Sequence, residues 1–313
     1  MGKRKHEAES GEEHIEESEI EIPGQEMQRI TKPPGNPFHL TSGGHMLGWR
    51  RQHIDHRDKL LKDHIKRLFK KPHKIPSATD ISKLLHPVYD QGQLGSCTGN
   101  GGAVSIARAH SAYLYLGEQI DYSRLWLYYQ ARALEGSVDY DAGAEVRDIF
   151  KAANKVGVLL EKDWPYDIET FADTPTQEQN DAALKHILLS YYAIKDGDLG
   201  SVQQCLVGSE TLAPHPVCFG CPVYEAINNP PYYANRKKHI IPMPRANEAP
   251  EGGHCMDIIG YDNRDQTMKV RNSWGPAWGD AGEAWIPYEY FRKLCTDLWV
   301  SIVEADAQPP PAK

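Results

Sequence analysis

The chain has 313 residues, 40% of them hydrophobic and 25% charged, and a net charge of −8. These values suit a soluble globular protein with room for one large or two small domains. No stretch approaches the ~20 apolar residues a membrane helix requires, so a membrane is not an expected partner. The opening Met1-Gly2-Lys3-Arg4-Lys5-His6 runs into acidic sequence without an apolar core, so no secretory signal and a cytoplasmic location are expected; Lys3–Lys5 leaves a nuclear address open. The cysteines at 97, 205, 218, 221, 255 and 295 are expected to be free thiols in that setting.

Residues 1–35 are rich in glutamate and end in Lys32-Pro33-Pro34-Gly35. Such a stretch buries too little apolar surface to offset its ordering entropy and is expected to be disordered. In the next segment, 36–75, Gly48-Trp49-Arg50-Arg51 precedes Leu61, Ile65, Leu68 and Phe69, whose spacing predicts a basic amphipathic helix that ends before Pro72 and Pro76. Residues 50–74 hold ten Lys or Arg against three Asp. Without aromatic interleaving or a reader motif, nucleic acid is not an expected partner, and the segment is expected to dock on its own acidic body.

The body, 76–303, opens with a helical pattern over 96–116, Ser96 as its N-cap and Cys97 in its first turn. Gly99, Gly101 and Gly102 each cost about 1 kcal/mol there relative to alanine, which predicts close packing or a frayed first turn. Helices are predicted over 122–134, 144–156, 181–189 and 199–207. Short apolar or alternating runs over 217–223, 255–261, 268–271 and 284–287 then read as antiparallel strands, with a hairpin turn over 262–266. Residues 304–313 are expected to be a flexible proline-rich tail. Helices first and strands later predict an α+β fold of two subdomains with a cleft between them.

Three short words carry chemistry: Gln91-Gly92-Gln93-Leu94-Gly95-Ser96-Cys97, Gly252-Gly253-His254-Cys255, and Asn272-Ser273-Trp274-Gly275. Singly, each has an ordinary structural explanation. In order, Gln91, Cys97, His254 and Asn272 supply an oxyanion donor, a thiol nucleophile, its base and the group that orients the base, the set that acyl transfer by cysteine needs. The helix N-terminus at Cys97 is expected to lower the thiol pKa. Trp274 is placed to screen the His254–Asn272 bond from water. Cys218-X-X-Cys221 lacks a second pair at zinc spacing and reads as core strand rather than a metal site.

Taken together, Gln91-Gly92 … Gly95-Ser96-Cys97, Gly253-His254 with Asp257-Ile258-Ile259-Gly260-Tyr261, and Val270-Arg271-Asn272-Ser273-Trp274-Gly275 … Trp278-Gly279 … Gly282 resemble papain-like, cathepsin-type cysteine peptidases over residues 76–303. The resemblance implies a helical left half, an antiparallel β-barrel-like right half and an active-site cleft between them. It implies a cysteine endopeptidase that forms a Cys97 thioester and acts on proteins or peptides, with neither cofactor nor metal. Gly143, Gly220, Gly253 and Trp274 then become substrate-binding residues, Gly220 as the wall of a pocket for a bulky P2 side chain. Residues 36–75 resemble the short pro-region of a cytosolic microbial or viral branch, so the chain's own N-terminal segment is expected to act as an intramolecular inhibitor of a zymogen. Departures from the family pattern are Leu94 for a cysteine, Thr98 for an aromatic residue and Gly253 for an aspartate; residues 228–252 read as an insertion. An acyltransferase on the same machinery, or a catalytically silent peptide-binding adaptor, would share these words.

Overall fold

The computed structural model describes residues 40–113, 120–188 and 190–303. The expectations for 1–35 and 304–313 fall outside those residues. In chain order the elements are α1 (Leu61–Leu68), β1 (Ala78–Asp80), α2 (Cys97–Tyr113), α3 (Arg124–Glu135), α4 (Val146–Val156), α5 (Gln177–Ala183), β2 (Ser190–Ile194), α6 (Leu199–Val207) and β3 (Val217–Val223). They continue with β4 (Tyr232–Tyr233), β5 (Lys238–His239), β6 (Gly252–Asp262), β7 (Thr267–Arg271), β8 (Glu283–Pro287), α7 (Tyr288–Leu294) and β9 (Thr296–Ile302). The fold is α+β as the sequence predicts. The helices α2, α3 and α4 pack together, and the later strands form an antiparallel sheet in the order β2-β9-β3-β6-β7-β8, with β1 added to β6.

Helix α2 lies between the two layers and is buried along its whole length except for the last two residues. Its glycines explain how. A Cβ on Gly99 would stand 2.7 Å from the Arg124 carbonyl oxygen of α3, and one on Gly102 would stand 2.2 Å from Ile149 Cγ2 of α4. Close packing is therefore the reason for those residues. Ser123 caps α3 by accepting the Trp126 N–H, and Gly136 ends it in the left-handed conformation at φ 71°.

Some boundaries differ from the sequence reading. The helix predicted over 181–189 starts earlier, because Thr176 and Gln179 form a reciprocal capping box. It stops at Ala183, whose carbonyl is taken by the Val158 N–H, and a short 3-10 turn follows. Ser96 does not cap α2 with its hydroxyl, which instead meets Tyr166 Oη and Asn100 Nδ2. Strands β1, β2 and β9 and helix α7 carried no assignment in the sequence. The insertion folds into the β4–β5 hairpin, and its continuation binds along β8, where the Ile241 N–H donates to the Trp285 carbonyl over 2.8 Å.

Helix α1 is an integral part of this body: Leu61, Leu68 and Phe69 are buried in the common core, and Arg67 donates to Tyr192 Oη of β2. No helix among the described residues is long and apolar enough to cross a membrane.

Gly→Ala inside a helix ordinarily stabilises by about 1 kcal/mol. At Gly99 the added methyl meets rigid backbone, so Gly99→Ala is expected to destabilise instead, by roughly 1–3 kcal/mol, read as a lower midpoint in thermal or urea unfolding.

Candidate active site

Cys97 opens α2, His254 lies near the start of β6, and Asn272 directly follows β7. Pairing of β6 with β7 (Asp257 opposite Arg271) brings the last two together. His254 Nε2 lies 2.7 Å from Asn272 Oδ1, which also accepts the Ser273 N–H at 2.7 Å. An oxygen that already accepts one donor fixes Nε2 as the protonated nitrogen. Nδ1 of the neutral ring is then an unprotonated acceptor, and it is buried without a hydrogen bond from any described residue.

Gln91 is buried and held on three sides. Its N–H donates to the Ser273 carbonyl at 2.8 Å, its Oε1 accepts the Ser273 hydroxyl at 2.7 Å, and its Nε2 donates to Leu94 O at 2.9 Å. The second Nε2 hydrogen reaches the Met46 carbonyl at 3.1 Å. The Cys97 sulfur receives backbone N–H groups from Cys255, Thr98 and Gly48. The Trp274 ring packs against His254 at 4.7 Å between centroids, and His45 stacks on Trp274 at 4.1 Å and nearly parallel. The structure thus gathers Gln91, Cys97, His254, Asn272 and Trp274 at one place between α2 and the sheet.

Residues 41–53 run through that place. Ser42 is bonded by Glu251 and Asn228, and the Gly44 carbonyl by Gln93. Trp49 bridges Ala144 in the parallel sense: the Ala144 N–H donates to Gly48 O and the Arg50 N–H to Ala144 O. The Trp49 N–H donates to Gly253 O at 3.2 Å. Its indole fills the space above Gly220 and Gly253, where a Cβ on either would come within 3 Å of the ring. A Cβ on Gly48 would stand 1.7 Å from the Gly95 carbonyl oxygen, so only glycine passes there.

Gly220 and Gly253 therefore line a side-chain pocket, whereas the groove's backbone bonds come from Ala144 rather than from Gly143. The Gly143 N–H is committed to Tyr128 Oη, and its positive φ of 64° serves the turn into Ala144. Gly143, named from the sequence, does meet the segment, since a Cβ there would stand 2.3 Å from the Gly48 carbonyl oxygen; the sequence reading named neither Ala144 nor Ser273, which lies inside a recognised word. Asp297, which accepts Trp49 Nε1 at 3.1 Å and the Gln52 N–H at 2.8 Å, had no local signal at all. Cys218 and Cys221, three apart on β3, face opposite sides of the sheet and cannot converge on one ion. Cys218 Sγ meets Cys255 Sγ at 3.3 Å instead.

Burial decides the charge states. It pushes the Cys97 thiol up to about 12, outweighing the three N–H groups at the sulfur. It pulls His254 down to about 4, aided by nearby His45 and opposed by the bond to Asn272. Burial thus opposes the acidic thiol expected from the helix terminus and favours the uncharged form of both groups in the covered cleft. A family model described as "Papain family cysteine protease" matches residues 75–295. The chain is a member of the papain family of cysteine proteases.

The protease is 34% identical over 224 residues to an uncharacterized peptidase C1-like protein, L477, of Acanthamoeba polyphaga mimivirus, covering 67% of this chain and 68% of that protein. It is 26% identical over 221 residues to cysteine proteinase 3 of Entamoeba histolytica, covering 66% of this chain and 61% of that one. Among solved structures it resembles xylellain, a cysteine protease from Xylella fastidiosa, with a TM-score of 0.67 and 28% identity over 86% of this chain and 98% of that one. Procathepsin L 3 of the Tenebrio molitor larval midgut shares the fold at 17% identity, with a TM-score of 0.56 over 79% of this chain and 76% of that one. The protease is a hydrolase with the papain-like two-subdomain fold, and its substrates are proteins or peptides.

A fully buried thiol makes an accessibility prediction. Cys97 is 0% exposed, so at neutral pH iodoacetamide should alkylate it in the intact native chain at least roughly tenfold more slowly than in the urea-unfolded chain. Peptide mass spectrometry at Cys97 reads the rate.

Proposed function

We propose that the protease is an endopeptidase made as a zymogen, with Cys97 as nucleophile and residues 41–53 as its inhibitor. His254 Nδ1 takes the Cys97 proton, and the thiolate attacks a peptide carbonyl. The oxyanion is held by Gln91 Nε2 and the Cys97 N–H. The imidazolium returns its proton to the departing amine, leaving a thioester at Cys97. Water, deprotonated by the same nitrogen, then releases the acid and restores the thiol.

One observation carries the reading: the occupant of the cleft presents a carbonyl, Met46 O, to Gln91 but an N–H, that of Gly48, to the sulfur. Gln91 Nε2, the donor for a substrate's oxyanion, is thus engaged by the segment's own carbonyl, and the segment stands where a substrate would bind. Burial beneath it also keeps the thiol and imidazole neutral. Endo-action is supported by the path of the segment, which passes through the groove from Ser42 near Glu251 to Gln52 beside Asp297, as a continuous substrate must.

The steric fit of Gly48 supplies the direct test. Gly48→Ala cannot keep its place against Gly95, so intact Gly48→Ala protein should hydrolyse a fluorogenic peptide at least about tenfold faster than intact wild type. An unchanged rate would remove the inhibitory role. In a Gly48→Ala background, Gln91→Ala is expected to lower kcat by about 10²–10³, and Cys97→Ala to abolish turnover. Product analysis with an added amine separates hydrolysis from acyl transfer.

Self-processing has an expected position. Leu61, Leu68 and Phe69 tie α1 into the core, while Ile54 before it is 89% exposed. Mass spectrometry of the full-length chain beside Cys97→Ala should therefore find a first cut within 53–58, in the active protein alone. A first cut beyond α1, near 75, would contradict this.

A further inference from the structure

The pocket that holds Trp49 has an acidic floor. Gly220 and Gly253 form its walls, and at its far end Asp297 Oδ2 accepts the indole N–H at 3.1 Å and the Gln52 N–H at 2.8 Å. The carboxylate is directed there by a local irregularity. Opposite β3, β9 carries one extra residue between the Cys218–Trp299 and Gly220–Thr296 pairs. Within that bulge Asp297 takes a positive φ of 53°. Bulges beside active sites commonly re-aim a side chain, and aspartate is among the few residues that tolerate the left-handed conformation.

Asp297 does not stand alone. Asp196, in the loop between β2 and α6, accepts the backbone N–H of Asp297, and the segment's Arg51 acts electrostatically on both carboxylates. Asp297 is 7% exposed with the segment in place. Trp49, Arg51 and Gln52 all belong to the segment, so its departure removes the indole donor, the amide donor and the balancing cation together. The Asp297 carboxylate then faces the pocket without a partner, and a charge buried there unpaired is strongly disfavoured. A neutral bulky side chain would leave it in that state, whereas a long side chain ending in a cation would replace Arg51 and the two donors.

Resting on the peptidase reading, we propose that Asp297, backed by Asp196, makes this pocket select a cationic side chain, arginine or lysine, in the substrate polypeptide. Arginine suits it best, since its stem passes the glycine walls as the indole does and its planar fork supplies several N–H donors to the carboxylate.

The experiment uses the full-length protein and two dipeptidyl acyloxymethyl ketones, identical except for arginine or phenylalanine at the residue preceding the one that bears the ketone. Both alkylate Cys97, forming a carbon–sulfur bond as the carboxylate leaves. Each must displace the same segment, so the ratio of their rates reads the pocket alone. At neutral pH the arginine reagent should label Cys97 at least roughly tenfold faster. Asp297→Asn, which keeps a residue tolerant of the left-handed backbone, should bring the ratio to one or below, and Asp196→Asn should lower it by less. A wild-type ratio of one or less, or a ratio unchanged in Asp297→Asn, overturns the proposal. Failure of both reagents to label Cys97 in the Gly48→Ala protein would instead strike the peptidase reading on which it rests.

Discussion

The chemistry depends on how the two halves are locked at Gln91 and Ser273. Gln91 comes from the approach to α2 and Ser273 from the turn after β7, and two hydrogen bonds join them, one backbone and one side chain. The side-chain bond also orients the glutamine. Because Oε1 accepts the Ser273 hydroxyl, Nε2 must face the cleft. Asn272, the neighbour of Ser273, holds His254, so one short turn positions both the proposed oxyanion donor and the proposed base. A cleft between subdomains needs such a clasp, since a displacement of about 1 Å can cost a hundredfold in rate.

The second constraint is water. Thiol and imidazole need a polar surrounding to exchange a proton and remain as an ion pair, and the segment over the cleft denies them one. Three N–H groups at the sulfur do not compensate for full burial. In the proposed latent form, inhibition is therefore electrostatic as well as steric: the occupant fills the groove and also holds the reacting groups in their uncharged states. The Trp274 ring, in contact with both His254 and His45, adds to the cover.

Much of the site was legible in the sequence because its chemistry demands particular atoms. Cys97, His254, Asn272 and Gln91 sit in short words whose order carries the roles proposed for them, and the glycines of α2 announced a close helix contact before its partner was known. The rest depended on tertiary placement. Ala144 lies one residue from Gly143, a shift that sequence spacing cannot resolve. Asp297 is a single acid in a strand without a motif, and only a bulge in the pairing of β3 with β9 points it at the groove. The thiol pKa was misjudged because the helix terminus is local and visible, whereas the burying segment arrives from about fifty residues away. The sequence reading of 36–75 as one unit also joined two parts that the fold separates, a groove-filling stretch and a core helix.

In the proposed zymogen that separation sets the kinetics of opening. With helix α1 anchored beside β2, a strand of residues 41–53 that leaves the groove stays tethered a short span from its site. A short flexible tether maintains an effective concentration in the millimolar range. Release in the intact chain is thus a brief, self-reversing excursion with which a dilute substrate competes poorly. A single break in the exposed stretch ahead of α1 removes the tether while leaving every core contact of that helix in place. The strand then answers to bulk concentration, and dilution turns a rapidly reversing fluctuation into a one-way change of state.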